Sequence, residues 1–340
     1  MNLDQALDRT FELAAQGRPE GPNPLVGCVI VSNDGQLLGQ GFHAGAGTQH
    51  AETAALDAVK QAGLSPKGAT LVVTLEPCAH QGRVGPCAPA LVQAGIRRVV
   101  MAMAESNPDA AGGADHLRSH GVAVELAPIA AQARARELNL AWWHSVSTGR
   151  PFVTLKIAAS LDGRIAAPDG TSQWITGRQA RLHGHGLRAQ VGAILIGSGT
   201  LRADDPALSA RDPDGALARH QPLRLVMGHR PIWPEAAILG PGGETIQVAS
   251  HDPNDVLQEL APRQIRHLLI EGGATVAGAW LSAGLVDRVM AYLAPVVLGN
   301  GRPAVVQPSV TSLSQAWRLA THQVTQLGSD VLIEARRLED

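Results

Sequence analysis

Clustered positive charge, aromatic side chains and paired cysteines are all scarce in this sequence. Its 340 residues include 28 lysines and arginines against 30 acidic residues, and only 3% of the residues are aromatic. Because nucleic acids are bound through clustered positive charge and, as single strands, through aromatic stacking, we expect no nucleic-acid partner. The three cysteines cannot form an even set of disulfides, which predicts a reduced, cytoplasmic protein.

Long apolar runs are missing as well. No stretch of about 18 apolar residues occurs, so we predict no membrane-spanning helix and no membrane partner. The first four residues, Met1 to Asp4, contain an acid and no apolar segment, so we expect no signal peptide. The sequence does have 45% hydrophobic residues, which is typical of a globular protein, and a length that predicts two domains.

Two distant segments carry residue types that bind zinc. His50 is followed two positions later by Glu52, and Cys78 and Cys87 lie further along the chain. One imidazole and two thiolates leave one position of a four-coordinate zinc open for water, as a catalytic site requires. A helix that begins at His50 would place Glu52 about 200° further round its axis. The carboxylate could then move a proton while the imidazole holds the metal.

Another interpretation of these residues stays open at this point. A structural zinc site would be closed by a fourth protein ligand, for which His43 and His80 are available, and the domain would then be a zinc module without catalysis. Cys28 stands in an apolar run and is expected in the core.

Short apolar runs alternate with helical patterns along the first half of the chain. The alternation predicts an α/β domain with a largely parallel sheet. It places both metal-binding segments at helix N-termini, where the helix dipole favours thiolates. The predicted strands are 25–31, 69–75, 98–104 and 122–126. The predicted helices are 3–15, 52–62, 87–94, 114–120 and a long one over 129–145.

A polar segment with glycine and proline, residues 145–151, predicts a boundary between domains 1–147 and 148–340. In the second half, predicted strands run into glycine turns at Gly197–Thr200 and Glu271–Gly273. Such turns direct backbone N–H groups at an anion, but a tight strand-to-helix turn without a ligand explains each one equally well. Two of them in one domain favour a ligand with several phosphates.

The first half resembles the cytidine-deaminase superfamily and, within it, the deaminase half of the RibD family of bifunctional riboflavin-biosynthesis enzymes. The resemblance rests on His50-Ala51-Glu52, the eight residues between Cys78 and Cys87, Asn23-Pro24-Leu25-Val26-Gly27 and His43-Ala44-Gly45. It implies a three-layer α/β/α domain in which His50, Cys78 and Cys87 bind Zn²⁺ and Glu52 is catalytic. The implied substrate contacts are Asn23, His43, Arg83 and Asn107.

The second half resembles the reductase half of the same family, through an ordered set of motifs from Thr154-Leu155-Lys156 to Glu271-Gly272-Gly273. It implies an α/β domain like dihydrofolate reductase with NADPH as cofactor. Lys156 and Glu271 are the catalytic candidates, with a structural ion pair as the alternative. The implied cofactor contacts are Ala158, Trp174, Thr200, Asp204, Gly273, Ala274, Thr275, Val276, Ala277, Gly278 and Ala279. The implied substrate contacts are Ser172, Arg188, Leu208, Arg211 and Glu271.

The chain departs from the family pattern at several places, among them the glycine stretch Ala111-Gly112-Gly113-Ala114. Glu105 stands where Asp is usual, Gly192 where Asp is common, and Gly228-His229 where Asp and a small polar residue are frequent. Lost ribose or phosphate contacts at the last two would weaken cofactor binding, although we expect an active reductase.

Together the two resemblances imply two consecutive reactions. The first is hydrolytic deamination of 2,5-diamino-6-hydroxy-4-(5-phosphoribosylamino)pyrimidine. The second is NADPH reduction of the ribosyl group of 5-amino-6-(5-phosphoribosylamino)uracil to a ribityl group. The alternatives are a deaminase whose C-terminal half only binds or oligomerises, and a nucleic-acid deaminase, against which the near-neutral charge counts. The family tendency predicts a homo-oligomer, a dimer or tetramer.

Overall fold

The computed structural model describes residues 1–79, 85–107 and 110–338. The chain divides into two units, Met1–Gly149 and Arg150–Asp340. Among the described residues, no helix combines the length and the apolar character needed to cross a membrane.

A five-stranded mixed sheet organises the first unit, in the order β2-β1-β3-β4-β5. The expected parallel arrangement holds for β3, β4 and β5, whereas β1 runs antiparallel to both of its neighbours. Cys28 lies in β1 with no exposed surface, as expected for a core residue. The strands are β1 (Gly27–Val31), β2 (Leu37–Phe42), β3 (Thr70–Val73), β4 (Arg98–Met101) and β5 (Ala123–Leu126).

Helices pack closely on this sheet, and small residues permit the approach. A Cβ at Gly41 of β2 would lie 2.6 Å from the carbonyl oxygen of Ala51, so only glycine lets helix α2 lie directly on the strand. That contact fixes the N-terminal end of α2, which carries His50 as its N-cap. The helices are α1 (Leu3–Ala14), α2 (Ala51–Gln61), α3 (Cys87–Gln93), α4 (Gly113–Ser119), α5 (Ile129–Leu138) and α6 (Leu140–Thr148).

The prediction of one long helix over 129–145 is wrong, because the chain breaks into α5 and α6 at Asn139. This side chain is 2% exposed; its Oδ1 accepts from the backbone N–H of Leu25 at 2.7 Å and its Nδ2 donates to the carbonyl of Leu25 at 3.0 Å. It thereby satisfies both backbone groups of a residue that leads into β1. The predicted polar linker is also shorter than expected, since α6 continues to Thr148 and ends at Gly149, where φ is 76°.

An eight-stranded sheet organises the second unit, in the order β10-β9-β8-β11-β6-β12-β15-β14. The strands from β10 to β12 run parallel, and β12, β15 and β14 run antiparallel. Strand β12 ends at Ala294, because Pro295 has no N–H to continue the ladder. The strands are β6 (Phe152–Ser160), β7 (Arg164–Ala166), β8 (Ala193–Gly197), β9 (Leu223–Met227), β10 (Thr245–Val248), β11 (His267–Ile270), β12 (Arg288–Ala294), β13 (Arg302–Pro303), β14 (Leu319–Leu327) and β15 (Asp330–Arg337).

The two faces of this large sheet differ in character. One face is an apolar core that includes Leu155, Leu225 and Ile270. Side chains alternate along a strand, so Lys156 and Arg224 point to the opposite face, where helix α7 contributes Ala180 and Leu187. The α7 side therefore combines these two cationic side chains with an apolar cluster of its own. The helices of this unit are α7 (Arg178–Arg188), α8 (Ser198–Asp204), α9 (Pro253–Leu260) and α10 (Ala274–Ser282).

Candidate active sites

His50, Cys78 and Cys87 converge in the first unit. Their ligand atoms all lie within 4.8 Å of one another. The Nδ1 atom of His50 is 3.2 Å from the Sγ of Cys87 and 3.5 Å from the Sγ of Cys78. His50 is the N-cap of α2 and Cys87 is the first residue of α3, so both predicted helix N-termini are confirmed. One ion can reach all three donor atoms.

The two thiols of this cluster interact directly with each other. A hydrogen bond from Cys87 is the main cause that lowers the pKa of Cys78, to about 4, and His50 adds to it. The same hydrogen bond, together with burial, raises the pKa of Cys87. One proton thus serves two sulfur atoms, and a metal ion between them would replace it and stabilise both as thiolates. One imidazole nitrogen and two sulfurs are donors that zinc prefers.

Glu52 lies next to this cluster, in the first turn of α2, and is only 4% exposed. Burial raises the pKa of its carboxyl to about 7. The carboxyl also interacts with the thiol of Cys87, which places it at the edge of the candidate metal site. A carboxyl with this pKa can both accept and release a proton near neutral pH.

Both ring nitrogens of His43 are engaged by neighbours. Its Nδ1–H donates to the carbonyl of Gln49 at 2.9 Å, and its Nε2 accepts from the Nδ2 of Asn23 at 2.8 Å. Because a carbonyl only accepts and an amide NH₂ only donates, the ring is neutral, and burial lowers its pKa. His43 is therefore a neutral neighbour of His50, with ring centroids 5.6 Å apart, and not a fourth ligand. His80, the other candidate for closing a structural site, lies outside the described residues.

The carboxylate of Glu76 holds the segment that carries Asn107 at both ends. One oxygen accepts from the N–H of Glu105 at 3.1 Å and the other from the N–H of Ala114 at 2.9 Å. Glu76 was not among the predicted site residues, although its position two residues before Cys78 was a usable signal. Asn107 lies between these two anchored residues along the chain. Arg83, the remaining predicted contact, lies outside the described residues.

Gly113 and Glu105 complete this corner of the first unit. A Cβ at Gly113 would lie 1.6 Å from the carbonyl oxygen of Pro77, so the turn before Cys78 packs against the start of α4. Burial raises the pKa of Glu105, and its carboxylate accepts from the N–H of Asn107 at 2.8 Å. Glu105 thus braces its own segment, and this departure from the usual Asp is accommodated within the loop.

A second charged cluster lies on the α7 side of the large sheet. Arg188, the last residue of α7, donates to the carboxylate of Glu271 through Nε at 2.7 Å and Nη2 at 2.8 Å. The Nζ of Lys156 lies 3.4 Å from the same carboxylate. Burial would raise the pKa of Glu271, but the charges of Arg188 and Lys156 outweigh it and hold the pKa well below its ordinary value.

The two glycine turns of the second half meet in space. The N–H of Gly273, the N-cap of α10, donates to the Oγ1 of Thr200 at 2.9 Å. Asp204, at the end of α8, accepts from the Oγ of Ser172 at 2.9 Å. A Cβ at Gly199 would meet nothing within 4 Å, so open space lies beside these turns. The arrangement leaves room there for a phosphate-bearing cofactor.

The other implied contacts of the second unit lie in varied surroundings. Trp174 is 69% exposed with the guanidinium of Arg181 4.7 Å from its ring centroid, and Arg211 is exposed with Nη1 2.6 Å from the carbonyl of Gly215. Leu208 is buried with φ at 52°, in the left-handed region. Ala158 belongs to β6. Along α10 the remaining implied cofactor contacts differ in exposure: Ala274, Ala277 and Gly278 are buried, Val276 and Ala279 are half-buried, and Thr275 is exposed.

The Gly228 departure has a steric explanation. Its φ is 127°, and a Cβ there would lie 2.5 Å from the Oγ of Ser198. An aspartate at this position would be strained and would collide with that hydroxyl. Gly192 lies at the entry to β8 and exchanges backbone hydrogen bonds with His267 and Leu223.

Comparison with known proteins agrees with this division into two sites. The family model described as the cytidine and deoxycytidylate deaminase zinc-binding region matches residues 1–103, and the RibD C-terminal domain matches residues 151–333. The riboflavin biosynthesis protein RibD of Mycobacterium tuberculosis is 44% identical over 333 residues, covering 98% of this chain and 96% of the relative. The chain belongs to the RibD family. The Escherichia coli RibD is 39% identical, covering 98% of this chain and 99% of the relative.

Solved RibD structures share the fold over both units. The Thermotoga maritima diaminohydroxyphosphoribosylaminopyrimidine deaminase/5-amino-6-(5-phosphoribosylamino)uracil reductase matches with a TM-score of 0.88 at 29% identity, covering 98% of each chain. Acinetobacter baumannii RibD matches with a TM-score of 0.86 at 39% identity, again covering 98% of each chain. The expected fold class and the two-activity enzyme are confirmed: this RibD-family chain combines a zinc-binding deaminase domain with an NADPH-dependent reductase domain. The alternative of a C-terminal half without catalysis is not supported.

Proposed function

We propose that the first unit deaminates 2,5-diamino-6-hydroxy-4-(5-phosphoribosylamino)pyrimidine and that the second unit reduces the ribosyl group of the resulting uracil compound. The name of the Thermotoga maritima neighbour supports this pair of substrates. The observation that carries the first step is the buried carboxyl of Glu52 beside His50, Cys78 and Cys87. A purely structural zinc site has no use for such a carboxyl.

Glu52 is the proton carrier of the deamination. Zinc held by His50, Cys78 and Cys87 would supply a Lewis acid that lowers the pKa of a water molecule toward about 7. Glu52 takes a proton from that water at its carboxylate and gives it to the ring nitrogen beside the carbon under attack. A second transfer through the same carboxyl lets the amino group leave as ammonia. The carbonyl product and ammonia balance the substrate and one water.

The substrate is oriented by neutral and cationic side chains around the metal cluster. The amide of Asn23 and the neutral imidazole of His43 are already aligned by their mutual hydrogen bond. Asn107 sits on the segment anchored by Glu76. We assign Asn23, His43 and Asn107 to the base and ribose, and Arg83 to the phosphate, because a guanidinium can bind a phosphate with two parallel hydrogen bonds.

In the second unit, NADPH would supply a hydride for C1′ of the ring-opened ribose. We assign its binding to Ala158, Trp174, Thr200, Asp204 and the turn from Gly273 to Ala279. Lys156 donates or holds the proton that accompanies the hydride, because its ammonium is the less firmly held partner of Glu271. Ser172, Leu208, Arg211, Arg188 and Glu271 face the substrate.

The two arginines have different parts in this proposal. Arg188 already donates to Glu271 and to the carbonyl of Ser209, so most of its donors are engaged. Arg211 is exposed, and within the described residues its Nη1 donates to the carbonyl of Gly215 in its own loop, so it is the stronger ligand for the substrate phosphate. Arg188 then orients Glu271.

The test supplies the purified full chain with the diaminopyrimidine substrate, first without NADPH and then with it. Ammonia release in the first stage, followed by NADPH oxidation only in the second, supports both reactions in this order. Absence of ammonia from the zinc-loaded protein would refute the proposed deaminase.

We also propose a cytoplasmic homo-oligomer that binds no nucleic acid. Light scattering after size-exclusion chromatography and a salt-dependent binding assay with RNA and DNA test that part.

A further inference from the structure

Arg224 is a fully buried cation in the middle of β9. It is 1% exposed, and it lies on the same face of the sheet as Lys156, because its neighbours Leu223 and Leu225 fill the opposite apolar core. Arginine is almost never fully buried without a carboxylate partner, since removing a charge from water is costly. No acidic side chain in the described part of the chain forms an ion pair with it.

Carbonyl oxygens of two loops surround the guanidinium instead. Its Nη1 donates to Ala207 at 3.2 Å, and its Nη2 donates to Gly240 at 3.0 Å and to Gly243. Ala207 directly precedes Leu208, whose φ of 52° is a strained backbone conformation for a residue with a branched side chain. The arginine therefore holds the peptide at the start of a strained turn.

The same turn is bonded onward to the charged cluster. The carbonyl of Ser209 accepts from Nη1 of Arg188 at 3.1 Å, and Arg188 binds Glu271. The backbone N–H and carbonyl of Ala210 are both bonded to the side chain of Gln221, at 2.9 and 2.8 Å. The carbonyls of residues 207, 209 and 210 thus all point at protein groups, which fixes the course of the chain toward Arg211.

We propose that Arg224 is a positioning residue of the reductase that shapes the 207–211 turn for the phosphate of the substrate. It acts directly on the carbonyl of Ala207, and the turn that follows is bonded through the carbonyl of Ser209 to Arg188. The inference rests on the proposed function, in which Leu208 and Arg211 contact a phosphorylated substrate. It would also explain why this chain keeps a buried cation whose partners are all neutral carbonyls.

The test compares two variants in the full chain with two reductase substrates. Arg224→Met keeps an unbranched side chain and removes the charge and its donors, whereas Arg224→Lys keeps the charge and loses the planar fork. The substrates are the phosphorylated uracil compound and its phosphate-free counterpart, each with NADPH. Arg263→Met is the matched control, because Arg263 forms surface ion pairs with Glu244 and Glu259. NADPH affinity reports the folding of the second unit.

For Arg224→Met we expect the KM for the phosphorylated substrate to rise by about tenfold or more, because charge-assisted recognition of the phosphate is weakened. For Arg224→Lys we expect a smaller rise in the KM for the phosphorylated substrate. In both variants the Kd for NADPH and the KM for the phosphate-free substrate should stay within about threefold of the wild type. Equal losses with both substrates, or an equal loss of NADPH affinity, would overturn the inference, since a purely structural residue weakens every ligand alike.

Three further outcomes also decide between the possibilities. If Arg224→Met fails to bind NADPH and has therefore not folded, the ratio between the two substrates in Arg224→Lys decides by the same criterion. If the wild type reduces neither compound, the proposed function fails and this inference fails with it. A wild type that reduces both compounds with equal KM shows that no phosphate is recognised, which contradicts the role of the turn while leaving the reductase activity intact.

Discussion

Arg188 and Glu271 are joined by two parallel hydrogen bonds, from Nε to Oε1 at 2.7 Å and from Nη2 to Oε2 at 2.8 Å. Both side chains are largely buried, with 18% and 8% of their surface exposed. Lys156 approaches the same carboxylate only to 3.4 Å. The arginine fork thus fixes the carboxylate, and the lysine ammonium keeps the freedom to turn toward a substrate.

Replacing the fork with a point charge should impair the reductase selectively. In Arg188→Lys the charge is kept but Glu271 loses its bidentate partner, so we expect the reductase kcat to fall by about 10- to 100-fold. Deaminase turnover in the same preparation should be unchanged, because Arg188 belongs to the second unit. NADPH oxidation and ammonia release measured side by side check this. A wild-type kcat in Arg188→Lys would show that the fork has no catalytic consequence.

The depressed pKa of Glu271 predicts a specific acid sensitivity. Burial raises this pKa, but Arg188 and Lys156 outweigh it, so the stabilising contribution is complete above the ordinary value of 4.5 and is lost as the pH falls toward the lower folded value. The free energy of unfolding of the second unit, measured in urea, should therefore decrease as the pH falls from about 5 to about 3. This one proton accounts for up to about 1.4 kcal/mol per pH unit.

The variant Glu271→Gln lacks the titrating carboxyl and serves as the comparison for the pH dependence of unfolding. This variant should be less stable than the wild type at neutral pH by about 3 kcal/mol, because Arg188 is left without its charged partner. Its stability should then decline less steeply with acid, since the titrating carboxyl is gone. Parallel declines in the two proteins would mean that Glu271 titrates in the folded state as it does in the unfolded chain.

The anchoring carboxylate of Glu76 should matter for the deaminase substrate and not for the metal. In Glu76→Gln one oxygen can still accept, but the NH₂ group cannot accept the second backbone N–H, so one end of the Asn107 segment is released. We expect the deaminase KM to rise by about tenfold, in line with the loss of one hydrogen bond to a charged group. Zinc content and reductase activity should stay at wild-type values.

Glu125→Gln is the matched control for the Glu76 experiment. Glu125 is an exposed carboxylate of the same unit, paired with Arg98 at 2.7 Å. The Glu125→Gln variant should leave the deaminase KM unchanged, because surface ion pairs contribute little to stability. A loss of zinc from Glu76→Gln would contradict the role of Glu76 in anchoring the Asn107 segment alone. It would show instead that Glu76 helps to position the zinc ligand Cys78.

A stability test addresses the buried amide that separates α5 from α6. Asn139→Leu removes the partner of the N–H of Leu25 and leaves its carbonyl with only the 3.4 Å hydrogen bond from the Oγ1 of Thr74, so the first unit should lose about 2–4 kcal/mol of unfolding free energy. Asn139→Asp can still accept from the N–H and should be affected less at neutral pH than the leucine variant. Unfolding in urea, followed by deaminase activity, measures both. Equal stability of all three proteins would show that water satisfies Leu25 as well as the amide does.

Local sequence patterns were sufficient for the residues that lie near one another along the chain. His50 and Glu52 are two positions apart at the start of one helix, and Cys87 begins another, so motif and helix signals agree. The strands 223–227 and 267–270 were also predictable, because each contains a short apolar run, 225–227 and 268–270, of the kind typical of strands covered on both faces.

Features that depend on distant partners could not be predicted in this way. The break at Asn139 depends on Leu25, more than 100 residues away, and local periodicity reads straight through it. The burial of Arg224 depends on carbonyls of two loops that fold over β9, which no periodic pattern records. Glu76 precedes a cysteine motif, but its partners in the 105–114 segment are visible only once the two loops meet.

One variant, Glu52→Gln, assayed for both reactions and for metal, tests whether a zinc cluster and a separate buried carboxyl perform the first of the two reactions. Ammonia release should then fall by about 100- to 10,000-fold. Zinc content should be unchanged, as should NADPH oxidation with the deaminated compound. Ammonia release at the wild-type rate from zinc-loaded Glu52→Gln would contradict the proposed role of this carboxyl.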